Sequence, residues 1–434
     1  TIIGDALQRI YRALGYHVVS LNHLGDWGTQ FGKLIVAYER QFGDLAPRTV
    51  TVAQLLDLYI GFHQAVESQP ELDDQARAMF VRLEHGDPAV RALWQQFVDL
   101  SVAEFLAMYD RLGVVIDEAT MAESQFEPMV DHLIKLAQER GVVEESDGAL
   151  IIRIPGEAVP LILRKRDDTT IYATRDLAAI HFRIETYQPK QILYVVGNEQ
   201  SLHFRQVFAA AGQLGLVPDG VTLKHVKFGL LRTSEGKLST RKGRVIFLAD
   251  VINEAVERAR VVLASREGQT KNAESIAETV GIAAVKFFDL LHDRNHDIVF
   301  DWDRMLSLKG DSAPYLLYSY TRAASILRKA ASVTSEVGHS PSSEVTEADH
   351  YGSLVRTLAK FPLVLETVVA DNAPHHLAQY LNQLASEFHR FYEQFPVLTS
   401  KGSDRVTRLA IVAGTANVLK RGLTLLGITV LEEM

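Results

Sequence analysis

The stretch TRDLAAIHFRIETYQPKQILYVVGNEQSLHFRQVFAAAGQLG, Thr174 to Gly215, decides how this chain is read. TRDLAAIHFRIETY patterns as a helix, QILYVVG as a buried strand and SLHFRQVFAAAGQLG as a second helix, and HVKFGLL (His225 to Leu231) supplies the next strand. That alternation belongs to βαβ units and a parallel sheet. In such sheets ligands sit beyond the carboxyl ends of the strands, so the residues leaving QILYVVG, namely Asn198, Glu199, Gln200, Ser201 and His203, face the expected crevice.

Upstream, ALIIRI (Ala149 to Ile154) and VPLILRK (Val159 to Lys165) flank Pro155 and Gly156 as the arms of a hairpin. From about Thr51 to Glu139 the pattern is helix after helix, with Trp94, Val98, Phe105, Tyr109 and Leu112 marking one long apolar stripe. Before it, Ile3, Leu7, Ile10 and Leu14 share one helical face and Gly15 is placed to end that helix. HVVSLN (His17 to Asn22) then reads as a short buried strand and GDWGTQFG as a glycine-punctuated loop at its carboxyl end. Beyond Phe247 there is little strand signal, and the remainder is helical apart from the polar stretch Ser332 to His350, which suits a loop. The expected architecture is an α/β domain with an interrupted parallel sheet, split by a helical insertion and followed by an all-helical unit.

Bulk composition agrees. A chain of 434 residues exceeds the usual domain size of roughly 150 and predicts two or three units. Its 47% hydrophobic and 23% charged residues suit a packed globular protein. No apolar run approaches the length of about 18 residues that a membrane helix needs. The absence of Cys excludes disulfides, thiolate metal sites and cysteine nucleophiles, and fits a reducing cytoplasm. A net charge of -9 argues against indiscriminate coating of nucleic acid, so any such contact is expected to be local. The start at Thr1 lacks the features of a signal peptide and reads as a chain cut inside a structural element.

Four segments carry polar chemistry. SEGKLSTRKGR (Ser234 to Arg244) sets Lys237, Arg241, Lys242 and Arg244 in a glycine-bounded loop, which suits either a phosphate clamp or a solvated basic turn. In GDWGTQFG, Gly25, Gly28 and Gly32 permit close approach of a ligand to backbone, with Asn22, Asp26 and Gln30 as polar groups; a tight turn in which Trp27 packs is the other reading. In IYATRDLAAI, Tyr172 and Asp176 lie one turn apart, and Asp176 suits either a guanidinium partner or ordinary helix-dipole chemistry. His203 follows QILYVVG as either a site residue or a structural one.

Together TIIGDALQRIYRALGYHVVSLNHLGDWGTQFG, IYATRDLAAIHF, ILYVVGNEQSLHFRQVF, KLSTRKG, APYLLYSYTRAASILRK and LLGITVLEEM resemble the arginyl-tRNA synthetases, class I aminoacyl-tRNA synthetases, in order and over essentially the whole chain. The resemblance implies a Rossmann-like catalytic domain over residues 1–248 with its helical insertion at about 34–147, and an all-α anticodon-binding domain over residues 249–434. It implies formation of arginyl-adenylate from L-arginine and ATP with Mg²⁺, then transfer to tRNA(Arg), by a cytoplasmic monomer with no protein-bound structural metal and no membrane partner. KLSTRKG resembles the KMSKS signature, so Lys237, Leu238, Ser239, Thr240 and Arg241 are expected on ATP, with Thr240 in place of the second lysine. Tyr172, Asp176 and Gln200 are expected to line the arginine pocket, with Asp176 on the guanidinium; His203 and Gln206 are expected near the adenylate, and Asn22, Gly25 and Asp26 at the substrate edge. Tyr315, Tyr392 and Met434 are expected at the anticodon.

The family's HIGH signature would precede the equivalent of Thr1, and with it a lysine that substitutes for the one replaced by Thr240. The resemblance therefore carries the expectation that these 434 residues alone activate arginine weakly, and the alternative that the chain is a catalytically inactive tRNA-binding module. Family-level arginine-dependent ATP–pyrophosphate exchange by this chain would overturn the first. A synthetase for another amino acid would lack the carboxylate at Asp176.

Overall fold

Helix α1 (Ile2–Ala13) buries Ile3, Leu7 and Ile10, and the chain leaves it through Gly15 at φ +88°, a left-handed turn that glycine takes without a Cβ penalty. The computed structural model describes residues 1–166, 169–233, 236–237, 247–264, 272–333 and 348–433. Residues 17–22 are extended but form no strand: only isolated bridges join Leu21 to Glu118 and Leu24 to Ala122. The expected strand fails because its neighbour is a turn held by side chains, with the Asp117 carboxylate accepting from Ser20 N at 2.7 Å and from Arg12 at 2.6 Å.

Helices α2 (Thr29–Phe42), α3 (Val52–Val66), α4 (Glu71–Glu84) and α5 (Pro88–Leu112) form the insertion. Thr51 and Gln54 make a capping box at α3, and Asp87 caps α5 ahead of Pro88. The core holds Trp27, Phe80 and Trp94 edge to face. Gly32 lets α4 cross α2 closely, since a Cβ there would lie 2.1 Å from the Ala76 carbonyl oxygen. The expected α5 stripe is broken. Trp94, Val98 and Leu112 are buried but Phe105 is 45% exposed. The helix bridges two cores, the insertion's own and one that joins Leu112 and Val114 to the later helices, and Phe105 lies in the span between them.

A 3-10 turn (Glu123–Met129) leads into α6 (Val130–Glu139), then the antiparallel strands β1 (Glu144–Ser146), β2 (Ala149–Ile152) and β3 (Leu161–Arg164), with the expected hairpin between β2 and β3. Next come α7 (Tyr172–Tyr187), β4 (Gln191–Gly197), α8 (Ser201–Gln213) and β5 (Thr222–Phe228). β4 and β5 pair in parallel from Gln191↔Thr222 to Gly197↔Phe228, so both strands emerge at one edge. β6 (Leu231–Thr233) pairs antiparallel with β7 (Gly236–Lys237).

Helices α9 (Leu248–Ala264) and α10 (Ala273–Leu291) begin the helical remainder, but β8 (Ile298–Val299) then pairs in parallel with β6. A two-residue strand is too short to leave an alternating pattern, which is why the sequence past Phe247 reads as helix only. α11 (Trp302–Met305), α12 (Ala313–Val333), α13 (Ala348–Ala359), α14 (Phe361–Asp371), α15 (His375–Gln394) and α16 (Gly402–Leu425) complete the chain. The ends of the polar stretch 332–350 belong to α12 and α13, and residues 334–347 lie outside the described residues.

The first helix and the last share one core: Ile3, Leu7 and Ile10 pack with Phe287, Leu316, Leu381 and Leu423. Inside it the ammonium of Lys286, 1% exposed, donates to the carbonyls of Leu112 (2.8 Å) and Gly427 (2.5 Å) and lies 3.8 Å from the Asp5 carboxylate. Burial pushes its pKa down to about 8. Asp5 is held in turn by Arg9 at 2.9 Å and Gln8 at 3.1 Å.

Gly427 has φ +70°, and a Cβ there would lie 2.5 Å from Asp5 Oδ2 and 2.7 Å from Lys286 Nζ. Gly427→Ala is therefore expected to lower the thermal midpoint, since overpacking of this kind costs about 1–3 kcal/mol before backbone strain is added. A midpoint equal to that of the unaltered protein would refute the close-packed arrangement.

Candidate active site

The N-terminus of α7 faces the edge from which β4 and β5 emerge. Thr174 secures it by donating its hydroxyl to the Leu163 carbonyl on β3. Asp176, one turn in, is 7% exposed, and His203 Nε2 lies 2.6 Å from its Oδ2 while His23 Nε2 lies 3.2 Å from its Oδ1. Burial alone would raise the pKa of this carboxyl, but hydrogen bonds from His203 and His23 outweigh burial and hold it well below the usual carboxylate range. Tyr172 stands over His203 edge to face at 4.8 Å and is 58% exposed. Gln200, also exposed, precedes α8 on the same edge. Tyr172, Asp176, His203 and Gln200 thus gather at one strand edge.

The neighbouring Arg175 is turned the other way. It is buried, with Nε 2.6 Å from Glu123 and Nη1 2.8 Å from the Thr170 hydroxyl and 3.5 Å from Glu127, tying α7 to the 3-10 turn. Behind the cleft Arg183, two helical turns after Asp176, lies within 3.1 Å of His23 Nδ1 and 3.2 Å of the Tyr194 hydroxyl. Sequence reading passes over His23, Arg175 and Arg183. A lone histidine in a loop has no spacing to betray it, whereas the two-turn separation of Asp176 and Arg183 on one helix face was a usable signal.

Other expected site residues are engaged in holding the scaffold. Both Asp26 oxygens are taken by Ser124, its N–H at 2.8 Å and its hydroxyl at 2.5 Å. The Asp26 carbonyl accepts from Trp94 Nε1 at 2.7 Å. Asn22 donates to the Ala119 carbonyl and lies 3.2 Å from the Tyr109 hydroxyl. Gln206 is buried and donates to the Val159 carbonyl at 2.6 Å, bracing α8 on the β2–β3 hairpin. Of the loop glycines, Gly32 accommodates the α4 backbone rather than a ligand, while Gly25 is exposed with open space where a Cβ would stand.

β6 follows β5 closely in the chain, and the backbone of Lys237 pairs with Arg232 in the separate sheet of β6, β7 and β8. Leu238, Ser239, Thr240 and Arg241 lie outside the described residues, as does Met434. Among the described residues no group of three or more His, Asp or Glu is arranged to hold a metal ion, and no helix is long and apolar enough to cross a membrane.

The helical unit carries an aromatic ladder. Tyr315 stacks on His389 at 5.1 Å, Tyr318 lies on His389 at 6.1 Å, and Arg322 sits 4.1 Å over Tyr392 and 5.7 Å over Tyr318. The Ser319 hydroxyl, 2.9 Å from His389 Nε2, steadies the ring. Tyr315 and Tyr392 are half-buried, each keeping part of its surface at solvent.

Residues 1–302 match the family described as tRNA synthetases class I (R), catalytic domain, and residues 316–434 match the DALR anticodon binding domain. The chain is 40% identical over 437 residues to an arginine–tRNA ligase of Exiguobacterium sibiricum, covering 100% of this chain and 76% of the relative. It is also 40% identical over 438 residues to one of Clostridium botulinum strain Alaska E43, with the same coverage. Among solved structures, arginyl-tRNA synthetase from Plasmodium falciparum is similar with a TM-score of 0.83 and 25% identity, covering 100% of this chain and 73% of that one. The Thermus thermophilus arginyl-tRNA synthetase is similar in fold, with a TM-score of 0.81, 23% identity and coverage of 100% and 79%.

Glu84, at the end of α4, lies 3.4 Å from the Thr170 hydroxyl, which Glu127 also approaches. Burial, with the Glu127 charge second, pushes its carboxyl from 4.5 up to about 7, against the lowering effect of Arg175. A carboxyl raised in the folded state contributes stability that is complete below its unfolded pKa and is lost as pH rises through 7. Glu84→Gln, which imitates the protonated acid, is therefore expected to leave the thermal midpoint unchanged at about pH 5 and to raise it at about pH 8. Equal effects at the two pH values would refute the raised pKa.

Proposed function

This chain belongs to the class I arginyl-tRNA synthetase family, and from that premise we propose that the cleft around Asp176 is its arginine pocket and that the aromatic ladder of α12 and α15 meets the anticodon. As an arginine–tRNA ligase the protein joins arginine to tRNA with ATP. The observation that carries the pocket assignment is Asp176 itself, a nearly buried carboxylate kept ionised by two imidazoles close to the exposed ring of Tyr172. A guanidinium presents a planar fork of donors that pairs with both oxygens of a carboxylate, whereas an ammonium is a point charge. A site built around those hydrogen bonds rejects a competitor lacking them by on the order of 10⁴-fold, because its own buried groups are left unpaired.

In this reading Tyr172 walls the pocket and Gln200 meets the polar end of arginine, which sets the substrate carboxylate toward the ATP α-phosphate. That carboxylate attacks, a new phosphorus–oxygen bond forms, the bond to the pyrophosphate breaks, and a hydroxyl of the tRNA terminal adenosine later displaces AMP from the acyl carbon. No protein nucleophile is needed; catalysis is positioning of two bound reactants and stabilisation of charge on the leaving pyrophosphate. Lys237 to Arg241 are proposed for that second task, on the resemblance of KLSTRKG to the KMSKS signature. The Mg²⁺ of the proposal accompanies ATP on its phosphate oxygens, the usual way this ion reaches nucleotide sites. His203 is proposed as a second orienter of Asp176 near the adenylate. Tyr315 and Tyr392, with Met434, are proposed to receive unstacked bases, and the stacking of His389 and Arg322 on those rings supports this by holding them in place.

Asp176→Asn is expected to weaken arginine binding, measured calorimetrically, by about 3 kcal/mol or more, on the order of 10²-fold, with ATP binding retained. Unchanged arginine affinity would refute the pocket. Tyr315→Ala and Tyr392→Ala are each expected to weaken tRNA binding by about 1–3 kcal/mol while arginine affinity stays constant; a loss in arginine affinity instead would refute the division of labour.

A further inference from the structure

Arg183 is 5% exposed, and its Nη2 lies 3.1 Å from Nδ1 of His23. A guanidinium has donors and no acceptor, so His23 Nδ1 must be the acceptor of this contact. Its single ring proton is then on Nε2, which is the atom 3.2 Å from Asp176 Oδ1. A proton on Nδ1 would point at the Arg183 donors, so this contact selects the Nε2–H tautomer of the ring. The ring is further pinned by stacking on Phe126 at 5.9 Å, and Arg183 itself is clamped between Phe126 and Tyr194. The groups facing His23 are Arg183 and Asp176 from α7 and the charge of Glu123 from the 3-10 turn.

We infer that His23, set by Arg183, is a positioning residue for substrate specificity: it fixes the plane of the Asp176 carboxylate. Each carboxylate oxygen has about two acceptor positions. His23 occupies one on Oδ1 and His203 one on Oδ2, which leaves one on each oxygen for the two parallel donors of a guanidinium. This rests on the reading of Asp176 as the arginine carboxylate.

The test is calorimetric titration of the full chain with arginine and with citrulline, its uncharged isostere. His23→Ala is expected to weaken arginine binding roughly tenfold or more, the scale of a lost hydrogen bond to a charged group, and to narrow the margin over citrulline. His23→Gln, whose amide still donates from the Nε2 position, is expected to recover most of both. Arginine binding by His23→Ala equal to that of the unaltered protein, or no recovery in His23→Gln, overturns the inference. If Asp176→Asn binds arginine normally, the pocket reading itself fails; if Asp176→Asn loses binding while His23→Ala keeps it, only the positioning role fails. Independently of activity, ¹⁵N spectra of the histidine-labelled protein are expected to show the neutral ring of His23 as the Nε2–H tautomer, and Arg183→Met is expected to weaken that preference. An Nδ1–H tautomer in the unaltered protein overturns the inference.

Discussion

The buried ammonium of Lys286 ties together stretches of chain that are far apart in sequence: the first helix through Asp5, the end of the long insertion helix through the Leu112 carbonyl, and the turn before the carboxyl terminus through the Gly427 carbonyl. Removing a charge from water is expensive, and the cost is offset only when the charge is paired and its donors are used. Lys286 meets that condition only if all three stretches are in place at once. The constraint is therefore cooperative, because misplacing one partner leaves an uncompensated charge in the core. Its consequence is geometric. α5 enters from the insertion's core and ends at this lysine, α1 starts beside it, and the α9–α10 pair frames it, so the insertion, the strand-bearing part and the helical part share one reference point.

A second set of buried charges stands on the other side of α7. Adjacent residues Arg175 and Asp176 meet different partners, one the clamp of Glu123, Glu127 and Thr170 and the other the imidazoles of His23 and His203. The clamp with Glu123, Glu127 and Thr170 secures the helix N-terminus on the 3-10 turn, so the position of Asp176 does not depend on substrate. The cost of burying the Asp176 carboxylate is offset by two imidazoles, which fix its position in the folded chain. The Asp26–Ser124 contact does the same for the loop before α2.

The acidic net charge of the chain is compatible with a polyanionic partner when the contacts are local. The ladder of Tyr315, His389, Tyr318, Arg322 and Tyr392 combines aromatic faces with one guanidinium, a composition that favours single-stranded bases over a duplex backbone.

How much of this was legible beforehand follows the range of the interactions. Elements with a strong period of their own could be read directly: α7, β4, α8 and β5, the β2–β3 hairpin, and α1 with its terminating Gly15. So could the clustering of Tyr172, Asp176, Gln200 and His203, because a parallel pair delivers its carboxyl ends to one edge. What sequence could not reach was whichever role depended on a partner distant along the chain. Asp26 and Gln206 looked like ligand groups until Ser124 and Val159 were seen to hold them, and Gly32 looked like a ligand approach until the α4 backbone was found against it. HVVSLN has the residues of a strand but its neighbour is a turn that bridges to it only at isolated points, and Phe105 belongs to an apolar stripe that crosses a gap between two cores. Chain order dictates local periodicity and the edge at which loops emerge, since both arise from neighbouring residues. Packing alone decides which polar groups are consumed in holding the scaffold and which, like Asp176 between His23 and His203, stay available at the cleft.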